Sequence, residues 1–557
     1  MSGERRRSHW AWGYEDELAS EEELRAIAEL MRAVTGLALP GELEAPVPLE
    51  RVRLPEPRVA MPRRLAAICS QQPRDRAVHA HGMAYRDLIR AFRGQFEHVP
   101  DVVATPGDEH EVEELLRWCE TAGLALIPFG GGTSVAGGVE PRVGAGYAGT
   151  VSADLSRLSR VLEADPVSGA ARIQAGATGP ALNAQLASHG LALRHFPQSY
   201  EFSTLGGWIA TRSGGHYATG PTHIDDLVES VRAVTPAGIW QSRRLPGSGA
   251  GVSPDRMLLG SEGTLGVITE AWVRVQRPPV YRAAASVRFG SLTAGADAVR
   301  SITGSGLTPA NCRLLDPAEA AFGAGGDGKH ALLMLGFESA DHDVTPWLKA
   351  ALKLARAHGG AWDEAPSSGR GDAGQADGTR RSAANRKGRE ASRASGVAPS
   401  GPWREAFLRM PYLRNAFPAM GLIAETFESA ITWDAFPAFH ESVTGAVQEA
   451  ARQACGRAAV VTCRFAFAYP DGPAPYYTVL AAGRRGEETA QWDAIKAAAS
   501  DAVLRAGGTI THHHAVGRYH RPWYDRQRPE PFAAALRAAK AAVDPKAILN
   551  PGVLLDP

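Results

Sequence analysis

The chain has no charge bias: 60 basic residues offset 60 acidic ones across 557 residues, for a formal net charge of zero. Without a field of one sign to attract polyanions, nucleic acid is not an expected partner. Cysteine is scarce. The five present (Cys69, Cys119, Cys312, Cys455, Cys463) are scattered, with no CxxC pair. That set suits a reducing compartment and argues against both a disulfide framework and a Cys-type zinc site. Long apolar runs are missing as well. The opening "MSGERRRSHWAWGYEDE" has no signal-peptide core, and no stretch approaches the ~18 uncharged apolar residues of a membrane span. The expected protein is cytoplasmic, with room for a peripheral membrane contact through a few exposed apolar groups.

What is present suggests two or three domains of α+β type. "VVATP" from Val102 reads as a short strand and "ALIPF" as another. Between them "GDEHEVEELLRWCETAGL" reads as a helix, capped by Asp108 with Glu111 completing a capping box and Val112, Leu115, Leu116 and Cys119 on one face. This is a βαβ unit. "ARIQAGA" and "VITEAWVRVQ" are further strands, the second alternating Val267, Ala271, Val273 and Val275 with Glu270, Trp272, Arg274 and Gln276. A helix at "GPALNAQLASHGL" lies between them, and "RPP" (277 to 279) marks a boundary to a second α+β region. The expected division is a helical N-terminal extension over 1–97, a first domain over 98–278, a second over 279–500, and a C-terminal segment over 501–557. Residues 364–402, rich in Ser, Gly, Ala, Arg and Asp, read as a mobile surface loop, either a lid or a plain insertion.

"GGGTSVAGG" (130 to 138) closes the βαβ unit instead of opening a helix after its first strand, which excludes a Rossmann fingerprint. Its glycines still let main-chain N–H groups approach a ligand closely, and Thr133 and Ser134 add hydroxyls, a cradle suited to a pyrophosphate. A tight turn is the alternative for this loop alone. Two more glycine-rich stretches, "PQSYEFSTLGGWIATRSGGHYATG" (197 to 220) and "GSEGTLGVITE" (260 to 270), favour a long ligand held largely by backbone.

In this order, "PFGGGTS", "EFSTLGGWIATRSGG" and "GSEGTLGVITEA" resemble the PCMH-type FAD-binding domain of the vanillyl-alcohol oxidase superfamily, over residues 98–278. The resemblance implies a two-subdomain FAD-binding domain followed by an α+β cap (substrate) domain with an antiparallel sheet. It also implies FAD contacts from Pro128, Phe129, Gly130, Gly131, Gly132, Thr133 and Ser134 at the pyrophosphate. The rest of the nucleotide would meet His195, Pro197, Gln198, Ser199, Tyr200, Glu201, Phe202 and Ser203, then Ala210, Thr211, Arg212 and Ser213, and finally Glu262, Gly263, Thr264, Leu265, Gly266, Val267 and Ile268. "RSGGH" resembles a covalent-attachment signature but sits in the wrong loop, so FAD is expected to be non-covalent and His216 ordinary.

Relatives that dehydrogenate D-2-hydroxy acids carry a histidine-rich metal segment in the cap. This chain has "TCRFAFAYPDGPAPYYTV" (462 to 479) there and "THHHAVG" (511 to 517) later. Both resemble the alkyldihydroxyacetonephosphate synthase family, where "CR...YDxGA...Y" precedes "HHHGVG". "WAWGYED", "CRLLD", "ETFESAITWD" and "DPKAILNPGVLL" extend the likeness over nearly the whole chain. That resemblance implies an FAD-dependent transferase of ether lipid synthesis, which exchanges the acyl group of an acyl-dihydroxyacetone phosphate for a long-chain alcohol through a flavin N5 adduct. It also implies a small-molecule or lipid substrate and, by analogy, a homodimer. An FAD-linked oxidase or dehydrogenase of a D-2-hydroxy acid is the alternative. Tyr477 aligns with the family's catalytic tyrosine and Arg313 with an arginine needed for activity, a structural salt bridge being the other reading of Arg313; Arg464 is a weaker candidate. A phenol with pKa near ~10 shuttles protons only where neighbours stabilise its anion. Three consecutive histidines make poor core, so His512, His513 and His514 read as a polar wall around the reactive site. Surface histidines are one alternative. A metal site is another, disfavoured because consecutive positions rarely converge on one ion, so no metal is expected.

Overall fold

The computed structural model describes residues 5–324, 326–362, 367–370 and 410–556. The loop expected over 364–402 lies outside them, except for an edge strand at Ser367–Arg370. The described chain builds three sheets. The first holds β1 (Cys69–Ser70), β2 (Val102–Ala104), β3 (Leu124–Phe129) and β4 (Gly149–Asp154) in the order β1-β2-β4-β3, with β2, β4 and β3 parallel. The second orders β5 (Val161–Asp165), β6 (Ala170–Gln174), β7 (Val228–Thr235), β8 (Gly238–Gln241) and β9 (Val267–Arg274) as β5-β6-β9-β7-β8, all antiparallel. The third is the seven-stranded sheet of the cap. It contains β10 (Tyr281–Phe289), β11 (Asn311–Leu315), β12 (Ala331–Ser339), β13 (Ser367–Arg370), β14 (Leu422–Glu428), β15 (Val460–Ala468) and β16 (Pro473–Ala482), ordered β13-β10-β12-β11-β15-β16-β14.

The helix Glu109–Ala122 shows how local chemistry sets these elements. Asp108 accepts the Glu111 N–H at 2.9 Å, and Gly123 ends the helix in the left-handed region. The reciprocal half of the expected capping box is displaced by one residue, since the Glu111 carboxylate takes the N–H of Gly107.

The first 97 residues are woven into the rest of the molecule. β1 pairs with β2, so the first sheet begins inside the stretch read as an extension. Trp10, Met31 and Phe92 share one core with Phe417, Ile423, Phe427 and Tyr477 of the cap. The tail is pinned to β3, with Leu126 donating to Ile548 O and Asn550 donating to Leu126 O.

Candidate active site

The three glycine loops and one face of the cap sheet enclose a single cleft. Residues 128–134, 197–199, Ser203, Ala210, Thr211, Ser213, Glu262, Gly263, Gly266 and Ile268 line it, as do Arg313, His513 and His514. The first loop can hold a long anion. The N–H groups of residues 131–135 donate to no acceptor among the described residues, which leaves a row of donors for phosphate oxygens. Gly130 and Gly131 leave no room for a side chain: a Cβ on Gly131 would stand 1.8 Å from Phe202 O, and one on Gly130 would stand 2.4 Å from Thr204 Oγ1. The glycines therefore serve the packing of loop on loop as well as ligand approach. Asn550 ties two of the loops, donating to Gly138 O and Glu262 O.

Several expected residues stand away from this cleft, Tyr477 foremost among them. β14, β15 and β16 pair so that Phe427, Cys463 and Tyr477 lie in one row and Glu428, Arg464 and Tyr476 in the next. Because side chains alternate along a strand, Tyr476 lines the cleft while Tyr477 is fully buried on the opposite face. There Tyr477 stacks on Phe427 and its hydroxyl meets His440 Nδ1 at 3.1 Å. Burial, with Cys463 and Asp316 close by, raises its pKa well above normal. His512 lies one layer back, 2.8 Å from the Tyr469 hydroxyl. His195 sits behind the wall, buried against Trp208 and Gly215, and neither ring nitrogen has a hydrogen-bond partner among the described residues.

The other displaced residues build the loops. Tyr200 bonds Gly179 O and Asn183. Glu201 accepts from Tyr412, and Phe202 packs on Trp12 and Tyr14. Arg212 pairs with Asp225. Thr264 caps its own turn, and Leu265 and Val267 belong to the core. His216 is outside the cleft lining, against Phe196 and Tyr217.

Tyr476 stands in the cap-side wall of the cleft. The Arg464 guanidinium lies over its ring, 4.0 Å from the centroid, and is itself paired with Glu319. His513 and His514 flank it at ring separations of 6.1 and 5.4 Å. Burial raises the Tyr476 pKa, and Arg464, the Thr426 hydroxyl and Arg414 pull it back down. Burial holds His513 and His514 neutral, at about 3 and about 4, despite Glu428 beside them. Arg313 is lowered to about 9 by burial and by Arg464, and donates to His216 O. The site thus offers a phenol between guanidiniums, two neutral imidazoles, and an apolar wall that includes Phe467 and Ala466.

Ligand atoms of Glu428, His512 and His513 fall within 4.8 Å of one another. Both Glu428 oxygens, however, already accept main-chain N–H bonds. Sequence reasoning missed Tyr476, Glu428, Trp12, Arg414 and Asn550. Only the last carried a turn signal, the Asn-Pro of "LNPG".

Residues 100–242 match the family model described as "FAD binding domain", and residues 278–554 match "FAD linked oxidases, C-terminal domain". With the donor-lined glycine loop, these matches make the chain an FAD-binding flavoprotein. Its fold is that of a solved alkyldihydroxyacetonephosphate synthase structure, at a TM-score of 0.77 with 24% identity, covering 98% of this chain and 97% of that one. p-Cresol methylhydroxylase shares the fold at 0.64, with 13% identity over 97% of this chain and 98% of that one. Alkyldihydroxyacetonephosphate synthase from Dictyostelium discoideum is 30% identical over 86% of this chain and 77% of its own, and that from Trypanosoma brucei brucei is 29% identical with the same coverage. The chain belongs to the alkyldihydroxyacetonephosphate synthase family.

Proposed function

We propose that this protein exchanges the fatty acyl group of an acyl-dihydroxyacetone phosphate for a long-chain alcohol, with FAD held non-covalently in the glycine-loop cleft. When bound, FAD supplies the electrophile for the exchange. Tyr476 takes and returns the proton on the carbon beside the ketone, its phenolate favoured by Arg464 and Arg414. Arg313, at the cleft with its charge largely retained at neutral pH, holds the substrate phosphate. His513 and His514, neutral at pH 7, donate to or accept from substrate oxygens without adding charge. Phe467 and Ala466 exclude water and face the alkyl chain.

What supports this reading most directly is Tyr476, a phenol with a guanidinium over its ring in the cleft that carries the glycine cradle. Anaerobic incubation with palmitoyl-dihydroxyacetone phosphate and radiolabelled hexadecanol should yield the alkyl ether. No product, alongside rapid bleaching of the flavin by a D-2-hydroxy acid, would overturn the reading in favour of an oxidoreductase. The family likeness adds a homodimer and a peripheral membrane contact to the proposal, to be checked by light scattering and liposome flotation. No helix among the described residues is long and apolar enough to cross a membrane.

A further inference from the structure

The histidine loop is gripped by its main chain, and the groups that grip it are two buried glutamates from different domains. Glu428, the last residue of β14, accepts the N–H of His512 at 2.5 Å, of His513 at 3.2 Å and of His514 at 3.0 Å, together with the Thr511 hydroxyl at 2.6 Å. Glu262, in the third glycine loop, accepts the N–H of Val516 at 2.9 Å and of Gly517 on both oxygens, at 3.2 and 2.9 Å. Both carboxylates are more than nine-tenths buried. A buried carboxylate needs donors to replace its water, and successive N–H groups curled about an anion supply them. Glu262 adopts a positive φ of 50° at this position, an uncommon conformation for a residue other than glycine.

We propose that Glu428 and Glu262 are positioning residues of the reaction, a two-sided clamp that fixes where His513 and His514 stand against Tyr476 and registers the cap against the FAD-binding domain. The catalytic half of this inference rests on the reading of Tyr476 as the proton-transfer group. Tyr476 is faced by Arg464 from β15, by Thr426 and Glu428 from β14, by Arg414, and by His513 and His514 from the loop. Glutamine at 428 would keep the shape but turn one acceptor into a donor aimed at N–H groups. It would also remove an anion that disfavours ionisation of the phenol, and losing that anion favours the phenolate.

The test uses FAD-loaded enzyme and the variants Glu428→Gln and Glu262→Gln, with hydrogen exchange of the peptide spanning 509–520 and steady-state alkyl transfer. Glu428→Gln is expected to speed exchange at 512–514 by about ten- to a hundred-fold, the loss of hydrogen bonds to a charged acceptor. Its kcat should fall while KM stays within about threefold, the mark of lost positioning with binding retained. The pH limb that Tyr476→Phe abolishes should move to lower pH, a shift that mere loosening does not produce. Glu262→Gln should free exchange only at 516–517. If Glu428→Gln does not fold, Thr511→Val, which removes one donor to Glu428 but keeps its charge, should speed exchange at 512–514 and lower kcat to a smaller extent, without the shift of the pH limb to lower pH. Unaltered loop exchange in both glutamate variants would overturn the clamp. Faster exchange with wild-type kcat and pH limb would reduce it to a purely structural tie. A wild-type enzyme that makes no ether would sink the functional reading while the exchange data still decide the clamp.

Discussion

The two faces of β14–β16 each carry a tyrosine and surround it with opposite chemistry. On the cleft face Tyr476 is accompanied by Thr426, Glu428 and Arg464; one residue along each strand, Tyr477 is accompanied by Phe427 and Cys463. Burial disfavours both phenolates. Only Tyr476 has cations to offset that cost, whereas Cys463 and Asp316 push Tyr477 further up. Strand period and the sign of the neighbouring charge separate a cleft-lining phenol from a core phenol one position away.

The strongest way to break this comparison is to delete each hydroxyl in turn. Tyr476→Phe should cut alkyl transfer by about 10²–10⁴-fold, the usual worth of a positioned acid–base group, with FAD content unchanged. Tyr477→Phe should leave kcat within about threefold and lower unfolding free energy by about 1 kcal/mol, one buried hydrogen bond. The reverse ranking in a radiolabelled-alcohol assay would place the chemistry on the other face. Next in size, Phe427→Ala removes the ring stacked on Tyr477 and should cost about 3–5 kcal/mol in urea unfolding. KM should be unaffected, because the ring is on the core face.

A third effect comes from across the cleft. Burial raises Glu262 to about 7, with the N–H groups of Val516 and Gly517 opposing the rise. Because its folded pKa lies above its unfolded one, the folded state holds the extra proton. Its penalty is absent below about pH 4.5 and grows as pH rises, reaching at most about 3 kcal/mol above pH 7. Glu262→Gln should therefore flatten the loss of stability between pH 5 and 7 seen in wild-type thermal melts. Parallel melting curves for the two proteins would refute the raised pKa.

The sequence made some features readable because they are local. The Asp108 cap, the apolar stripe of Val112, Leu115 and Leu116, and the alternation from Val267 each declare themselves within one element. The glycine loops were legible as ligand contacts, though not as mutual packing, since Gly131 answers to Phe202 some seventy residues away. The side on which Tyr476 and Tyr477 fall depends on pairing with β14 and β15. A one-residue slip exchanges the faces, so a tandem of two tyrosines carries no sign of its own. Tyr200, Arg212 and Thr264 sit within cofactor motifs yet hold the loops in shape, because a motif marks the backbone that approaches the ligand and not each side chain along it. Glu428 had no local signal at all: its partners are the main-chain groups of residues more than eighty positions away.

The smallest effect lies at the loop that joins the two glutamates. Ala515 has φ +68°, with Glu428 holding residues 512–514 before it and Glu262 holding 516 and 517 after it. A left-handed conformation costs an ordinary residue about 1–2 kcal/mol, which the clamp must supply. Ala515→Gly removes that strain but gives the unfolded chain more freedom, worth about 0.5–1 kcal/mol in the opposite sense. The net should be a stabilisation of about 0.5 kcal/mol in urea unfolding, with the alkyl transfer rate unchanged so long as both carboxylates keep their N–H partners. In an Ala515→Gly, Glu428→Gln double variant the flexible residue has only one anchor left, and the rate should fall further than in Glu428→Gln alone. Additive behaviour would mean that strain at 515 and the grip at 428 act independently.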